Sequence, residues 1–132
     1  MKKVLLAVLV ITLMASCDVY YVEPRYDHRD QITGYYDVED YSRTYDEFHY
    51  YGVTITKVGS YGSSEIMLRD LYADGIEVYA YYNGNSIDIP FQIVDGYEIE
   101  GSGSLSHGVL DLHYRAKDRH IGVNDFCELF SE

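Results

Sequence analysis

Acids two residues apart stand at Asp37/Glu39 and Glu98/Glu100, a spacing that on an extended strand puts both carboxyl groups on one face. Glycoside hydrolysis uses two carboxyl groups about 5–9.5 Å apart across the scissile bond. Both pairs fall on the strand face opposite the apolar residues, and in a chain with 22 Asp and Glu such spacing is common, so a solvated acidic surface is the expectation. The five histidines are dispersed, with no i,i+4 pair of the zinc-binding kind. Asp27, His28 and Asp30 together carry the donors a divalent cation needs, and a polar connecting segment accounts for them equally well. Asp111 and His113 share a strand face without a serine in a strained nucleophile turn. Gly101-Ser102-Gly103-Ser104 precedes a strand, whereas a phosphate-cradling loop precedes a helix. The chain is therefore expected to be non-enzymatic, with no metal and no cofactor.

Sixteen tyrosines are the strongest anomaly of composition. Tyr35, Tyr79 and Tyr81 occupy strand positions expected to face solvent, and beside Asp37 or Glu77 they could stack on sugar rings and accept hydroxyl hydrogen bonds. The plainer account is that tyrosine suits half-buried sheet surfaces and forms cross-strand aromatic pairs. Cys127, between Phe126 and Leu129, reads as a small buried apolar residue.

With 132 residues, 47% of them apolar, the chain is expected to hold one small domain. Its formal charge of −12 argues against nucleic acid as a partner, since phosphate backbones are bound mainly by lysine and arginine. Lys2-Lys3 followed by the apolar run Val4 to Met14, broken only by Thr12, has the layout of a signal peptide and is too short for a retained membrane-spanning helix. That run ends in Leu13-Met14-Ala15-Ser16-Cys17, which resembles the lipobox of bacterial lipoproteins. The resemblance implies a diacylglyceryl group on Cys17, cleavage after Ser16 and acylation of the new amino group. Several acyl chains anchor durably, at about 0.8 kcal/mol per buried CH₂. The expected organisation is a lipoprotein signal peptide over 1–16, a lipidated tether over 17–30 reaching roughly 20 Å, and a β-barrel domain over 31–132. A lipid-anchored place in the bacterial cell envelope follows, with the outer membrane the expected destination.

From Gln31 onward, apolar and polar residues alternate with period two, the mark of half-buried strands. Asn83-Gly84 predicts a tight type I′ hairpin, and Asp95-Gly96 the next turn. Ile87, Ile89, Phe91 and Ile93 are expected on one inward face, and Pro90 places that strand at an edge or at a bulge. Seven strands and a weaker eighth near Asp125 to Phe130, joined by hairpin-length connections, predict an all-β, antiparallel up-and-down meander forming a small barrel or curled sheet. Arg29-Asp30-Gln31-Ile32-Thr33-Gly34-Tyr35-Tyr36, Ile87-Asp88-Ile89-Pro90-Phe91-Gln92 and Ile99-Glu100-Gly101-Ser102-Gly103 resemble segments of small lipocalin-like lipoproteins of Bacteroides-type bacteria. That resemblance implies a calycin-type barrel in the envelope. If hollow, the barrel would be lined by Tyr36, Val38, Val53, Ile55, Val78, Ile89, Phe91, Ile99 and Leu112, and would suit a small hydrophobic ligand. The same residues are what a filled core looks like, and at this length a packed interior is expected. The alternative function is a solid interaction module, inhibitory or otherwise, that recognises a glycan or protein through its tyrosine-rich outer face.

Overall fold

The computed structural model describes residues 19–132. The leader and Cys17 lie outside that range. Eight antiparallel strands follow one another around a closed barrel: β1 (Gly34–Ser42), β2 (Glu47–Lys57), β3 (Glu65–Arg69), β4 (Glu77–Tyr82), β5 (Ser86–Val94), β6 (Tyr97–Ser106), β7 (Val109–Asp118) and β8 (Asn124–Ser131). Each pairs with its neighbour in sequence, and β8 returns to β1 in the register Val38 opposite Ser131 and Ser42 opposite Cys127. Closure leaves the sheet without an open side. The expected meander is thus observed, and its weakest strand is the one that seals it.

Turn chemistry sets the register. Asp95-Gly96 and His107-Gly108 each carry two consecutive positive φ angles, 48° and 85° and then 52° and 79°, as two-residue I′ hairpins require. At Asn83-Gly84 the positive angle falls on Gly84 alone (φ 102°). Tyr82 there pairs with Ile87, and the Asn83 side chain accepts from the amides of Asn85 and Ser86 at 3.3 and 3.0 Å. The connection is therefore a longer loop held by an Asn cap, not the tight turn that the dipeptide predicts.

Pro90 makes the expected bulge, and the bulge reverses the face of the residues that follow. Ile89 opposes Gly101 while Gln92 opposes Ile99, so β5 advances three residues where β6 advances two. Phe91 and Ile93 consequently face solvent, 56% and 52% exposed, against the expectation that both point inward. The gap opened in the ladder is filled by a side chain. Gln92 donates from Nε2 to the Tyr79 carbonyl at 2.7 Å and accepts the Tyr79 amide on Oε1 at 2.8 Å, reproducing a pair of backbone bonds.

One end of the barrel is stoppered by a 3₁₀ turn, His28–Gln31, which follows Asp27 as its cap. Ile32 drops into the core behind it. Arg29 is 2% exposed, with Nε and Nη2 donating to Asp27 at 3.0 and 2.8 Å. Its remaining donors reach the carbonyls of Val58, Glu65 and Ser60 at 2.6, 3.0 and 3.1 Å. The guanidinium thus fastens this turn to the connection between β2 and β3. The segment expected to be tether therefore contributes its last residues to the barrel, and Asp27, weighed as a metal ligand, is engaged by Arg29 instead.

Candidate functional site at the open end

Opposite the stopper, the inward faces of β1 and β8 become polar. On β1 the series Tyr36, Val38 continues as Asp40 and Ser42, and on β8 Leu129 and Cys127 lead to Asp125; these polar residues are all buried. Strand alternation alone forces them inside, because the strands cannot turn them out without also turning out Val38 and Leu129. Tyr97 from β6 adds to the walls, while Tyr51 from β2 and Tyr114 from β7 stand against Asp40. Tyr72 comes from the β3–β4 loop, where it adopts φ 71°, a conformation that is uncommon for a bulky residue. Buried Leu71 anchors that loop, and the Asp70 amide donates to the Ile76 carbonyl at 2.7 Å across its base. The result is a mouth of about 370 Å³ lined by Asp40, Ser42, Glu47, Tyr72, Tyr97 and Asp125, among others.

Two carboxylates organise this mouth. Asp125 accepts from Ser42 Oγ at 2.5 Å and from Tyr72 Oη at 3.1 Å, one on each oxygen. Asp40 accepts on Oδ2 from Tyr51 Oη at 2.5 Å and also from Tyr114 Oη. The Tyr51 hydroxyl in turn accepts the Tyr72 amide at 3.2 Å, tying the loop to the acid. Asp40 Oδ1 has no hydrogen-bond partner among the described residues, although Asp40 is only 3% exposed. Tyr72 meets Tyr97 edge to face at 5.4 Å between ring centres, and Tyr114 at 6.3 Å.

Burial pushes the Asp40 carboxyl above its ordinary range, an effect opposed by the phenols of Tyr114 and Tyr51 and reinforced by the charge of Asp125. Burial, with the neighbouring acids behind it, also raises Tyr51, Tyr72 and Tyr114. The Cys127 thiol is raised by burial first and by Asp40 and Asp125 next. All four groups stay protonated at neutral pH, and the three phenols act as donors. Cys127, 4% exposed, is expected to resist a water-soluble thiol reagent at pH 8 in the folded chain and to react at once in denaturant. Labelling followed by mass spectrometry checks this, and rapid labelling of the folded protein would show that the mouth opens.

The residues singled out in the sequence fall elsewhere. Val53, Ile55, Val78, Ile89, Ile99 and Leu112 belong to the fully buried core cluster, together with Val38. Half-buried Tyr36 packs against that cluster and donates its hydroxyl to the Ile32 carbonyl at 2.8 Å. Phe91 faces solvent. Of the outer tyrosines, Tyr35 lies across Gly52 and donates to Asp37 at 2.9 Å. Tyr79 and Tyr81 stand edge to face at 5.4 Å on β4, with β2 and β3 between them and Tyr35. The three rings do not make one platform. Missed in the sequence were Asp40, Ser42, Tyr72, Tyr97 and Asp125, whose available signal was polar residues continuing the inward phase of a strand.

No protein-family model matches the chain, and no curated protein or solved structure does so either.

Proposed function

We propose that this chain is a lipid-anchored, non-enzymatic binding protein of the bacterial cell envelope, a lipocalin-like lipoprotein whose guest enters the open end of the barrel. The anchor rests on Leu13-Met14-Ala15-Ser16-Cys17 behind an apolar leader. The binding reading rests on one observation: the interior is packed with aliphatic side chains at the stoppered end and becomes an acid- and phenol-lined mouth at the other. Such a lining favours a small hydrogen-bonding guest over the hydrophobic one that the sequence suggests. The phenols and the thiol around the mouth are held protonated by burial, which suits recognition rather than nucleophilic attack. With the outer membrane as the anchored surface, the tether keeps this mouth within tens of ångströms of the lipid.

Two measurements on the full chain test the proposal. Metabolic labelling with palmitate is expected to mark the wild type and to fail in Cys17→Ser, and an equally labelled variant would sink the anchor. Native mass spectrometry of protein extracted gently in detergent is expected to show an additional non-covalent mass that disappears on denaturation. A guest-free mass in preparations from every growth condition would count against a binding role.

A further inference from the structure

We infer that the guest of this mouth is a small organic molecule carrying a protonated amine, bound by its ammonium at Asp40 Oδ1. The inference rests on the reading of the mouth as a binding site and names the chemistry of what enters. The argument begins with unfilled hydrogen-bonding capacity. Both oxygens of Asp125 are occupied, by Ser42 and Tyr72, and Asp40 Oδ2 takes two phenols. Asp40 Oδ1 remains without a donor in a side chain almost entirely removed from bulk water. A buried carboxylate oxygen in that condition carries its desolvation uncompensated until a donor arrives.

Charge then selects the donor. Asp40, Asp125 and Glu47 line the mouth against a single basic side chain, His49, which stands 3.7 Å from Glu47, and no lysine or arginine joins them, so the acids outnumber the one group that could carry a positive charge. The phenols of Tyr51, Tyr72 and Tyr114 cannot compensate either, since each already donates to a carboxylate. An ammonium N–H makes a charge-assisted bond to the free oxygen, roughly twice as strong as the bond from a neutral hydroxyl. Tyr72 and Tyr97, set edge to face at 5.4 Å, both line the mouth, and aromatic rings attract a cation lodged beside them.

A bare metal ion fits poorly. Calcium asks for six to eight oxygens, whereas Asp40 offers one that is free, and no group of three or more acids, histidines or cysteines is arranged for a metal among the described residues. At about 370 Å³ the mouth has room for a small organic body behind the ammonium.

Calorimetric titration of the full-length chain in a non-ionic detergent tests this with four probes: 2-phenylethylamine as its hydrochloride, the neutral 2-phenylethanol, glucose and the anionic 3-phenylpropionate. The amine is expected to bind saturably, about tenfold or more tighter than the alcohol, and the anion not at all. Asp40→Asn keeps an acceptor for Tyr51 and Tyr114 but places an amide donor where Oδ1 stood, so amine affinity is expected to fall at least tenfold. Glu47→Gln, at the exposed start of β2 and away from the core, should weaken the amine several-fold with an unchanged melting profile. The outward Asp37→Asn should leave affinity unaltered. If the alcohol or glucose binds as tightly as the amine, or amine binding is indifferent to both Asp40 and Glu47, the amine class is wrong while the mouth remains a binding site. If no probe binds the wild type at millimolar concentration, the mouth fails as a site for small guests, and the amine inference falls with it.

Discussion

Replacing Arg29 by alanine is expected to lower the unfolding free energy by about 3–5 kcal/mol, the size of effect seen when one partner of a buried ion pair is removed. The guanidinium bridges the 3₁₀ turn to three carbonyls at the β2–β3 connection, beside a more exposed ion pair of Asp30 with Lys57. Its loss takes a donor from each of those carbonyls, of which Glu65 and Ser60 keep the amides of Val58 and Ser63, and leaves the Asp27 carboxylate, 4% exposed, with Lys57 at 3.9 Å as its nearest cation. Lysine should restore little, because an ammonium cannot serve Asp27 with a fork while reaching Val58, Glu65 and Ser60. Urea unfolding of wild type, Arg29→Ala and Arg29→Lys measures this. A loss below about 1 kcal/mol would show that the turn rests on the barrel without fastening it.

The same pair fixes how stability answers to acid. Hydrogen bonds from Arg29 hold the Asp27 carboxyl well below its ordinary 3.8. A carboxyl depressed in the folded state contributes stability above its unfolded pKa and loses it as pH falls through the folded value, so the stopper weakens only in strong acid, below about pH 4. Asp40 acts in the opposite sense. Its folded pKa is raised by burial, so what it contributes is present in acid and lost as pH rises through the folded value. At neutral pH the stopper is therefore at full strength, whereas the contribution of Asp40 weakens as the pH is raised. Asp40→Asn is accordingly expected to be at least as stable as wild type at pH 7 even as it loses its guest, the usual trade between a binding site and stability.

Much of the architecture is legible in the chain because strand alternation is a local signal. The inward series Ile87, Ile89 and Leu110, Leu112, Tyr114 can be read without knowing what lies across the barrel. Pro90 announces a bulge just as clearly, yet a bulge of one residue inverts every side chain beyond it, and the sequence gives no register from which to count. Phe91 and Ile93 turn outward for that reason. The mouth is harder to see. Asp40 and Ser42 look like a polar break after Val38, and they become interior only because β8 closes on β1, bringing Ser42 to Asp125 across 83 residues. Arg29 is hidden similarly, since its partners Val58, Ser60 and Glu65 lie about 30 residues downstream and contribute main-chain oxygens that no side-chain pattern records.

Gly101→Ala is expected to damage fold and site together, with a loss of about 3 kcal/mol or more. Gly101 stands opposite Tyr114 in the β6–β7 ladder. A methyl group there would meet Tyr114 Cβ at 2.5 Å and Tyr114 Cα at 2.7 Å, besides crowding the His113 carbonyl. These are main-chain atoms and the root of a side chain, tied into a sheet paired on both edges, so relief requires the strands to part. Gly52→Ala provides the contrast. Its methyl group would collide with the ring of Tyr35, the far end of an exposed side chain that can swing aside, and its cost should stay below about 1 kcal/mol. Equal effects from the two substitutions would mean that the tight approach of β6 to β7 carries no weight. Any Gly101→Ala protein that still folds should also bind the amine probe more weakly, because moving Tyr114 withdraws the phenol that helps hold Asp40 Oδ2 and thereby fixes where Oδ1 points. Comparing urea midpoints and calorimetric affinities for both variants separates a purely steric defect from one transmitted to the mouth.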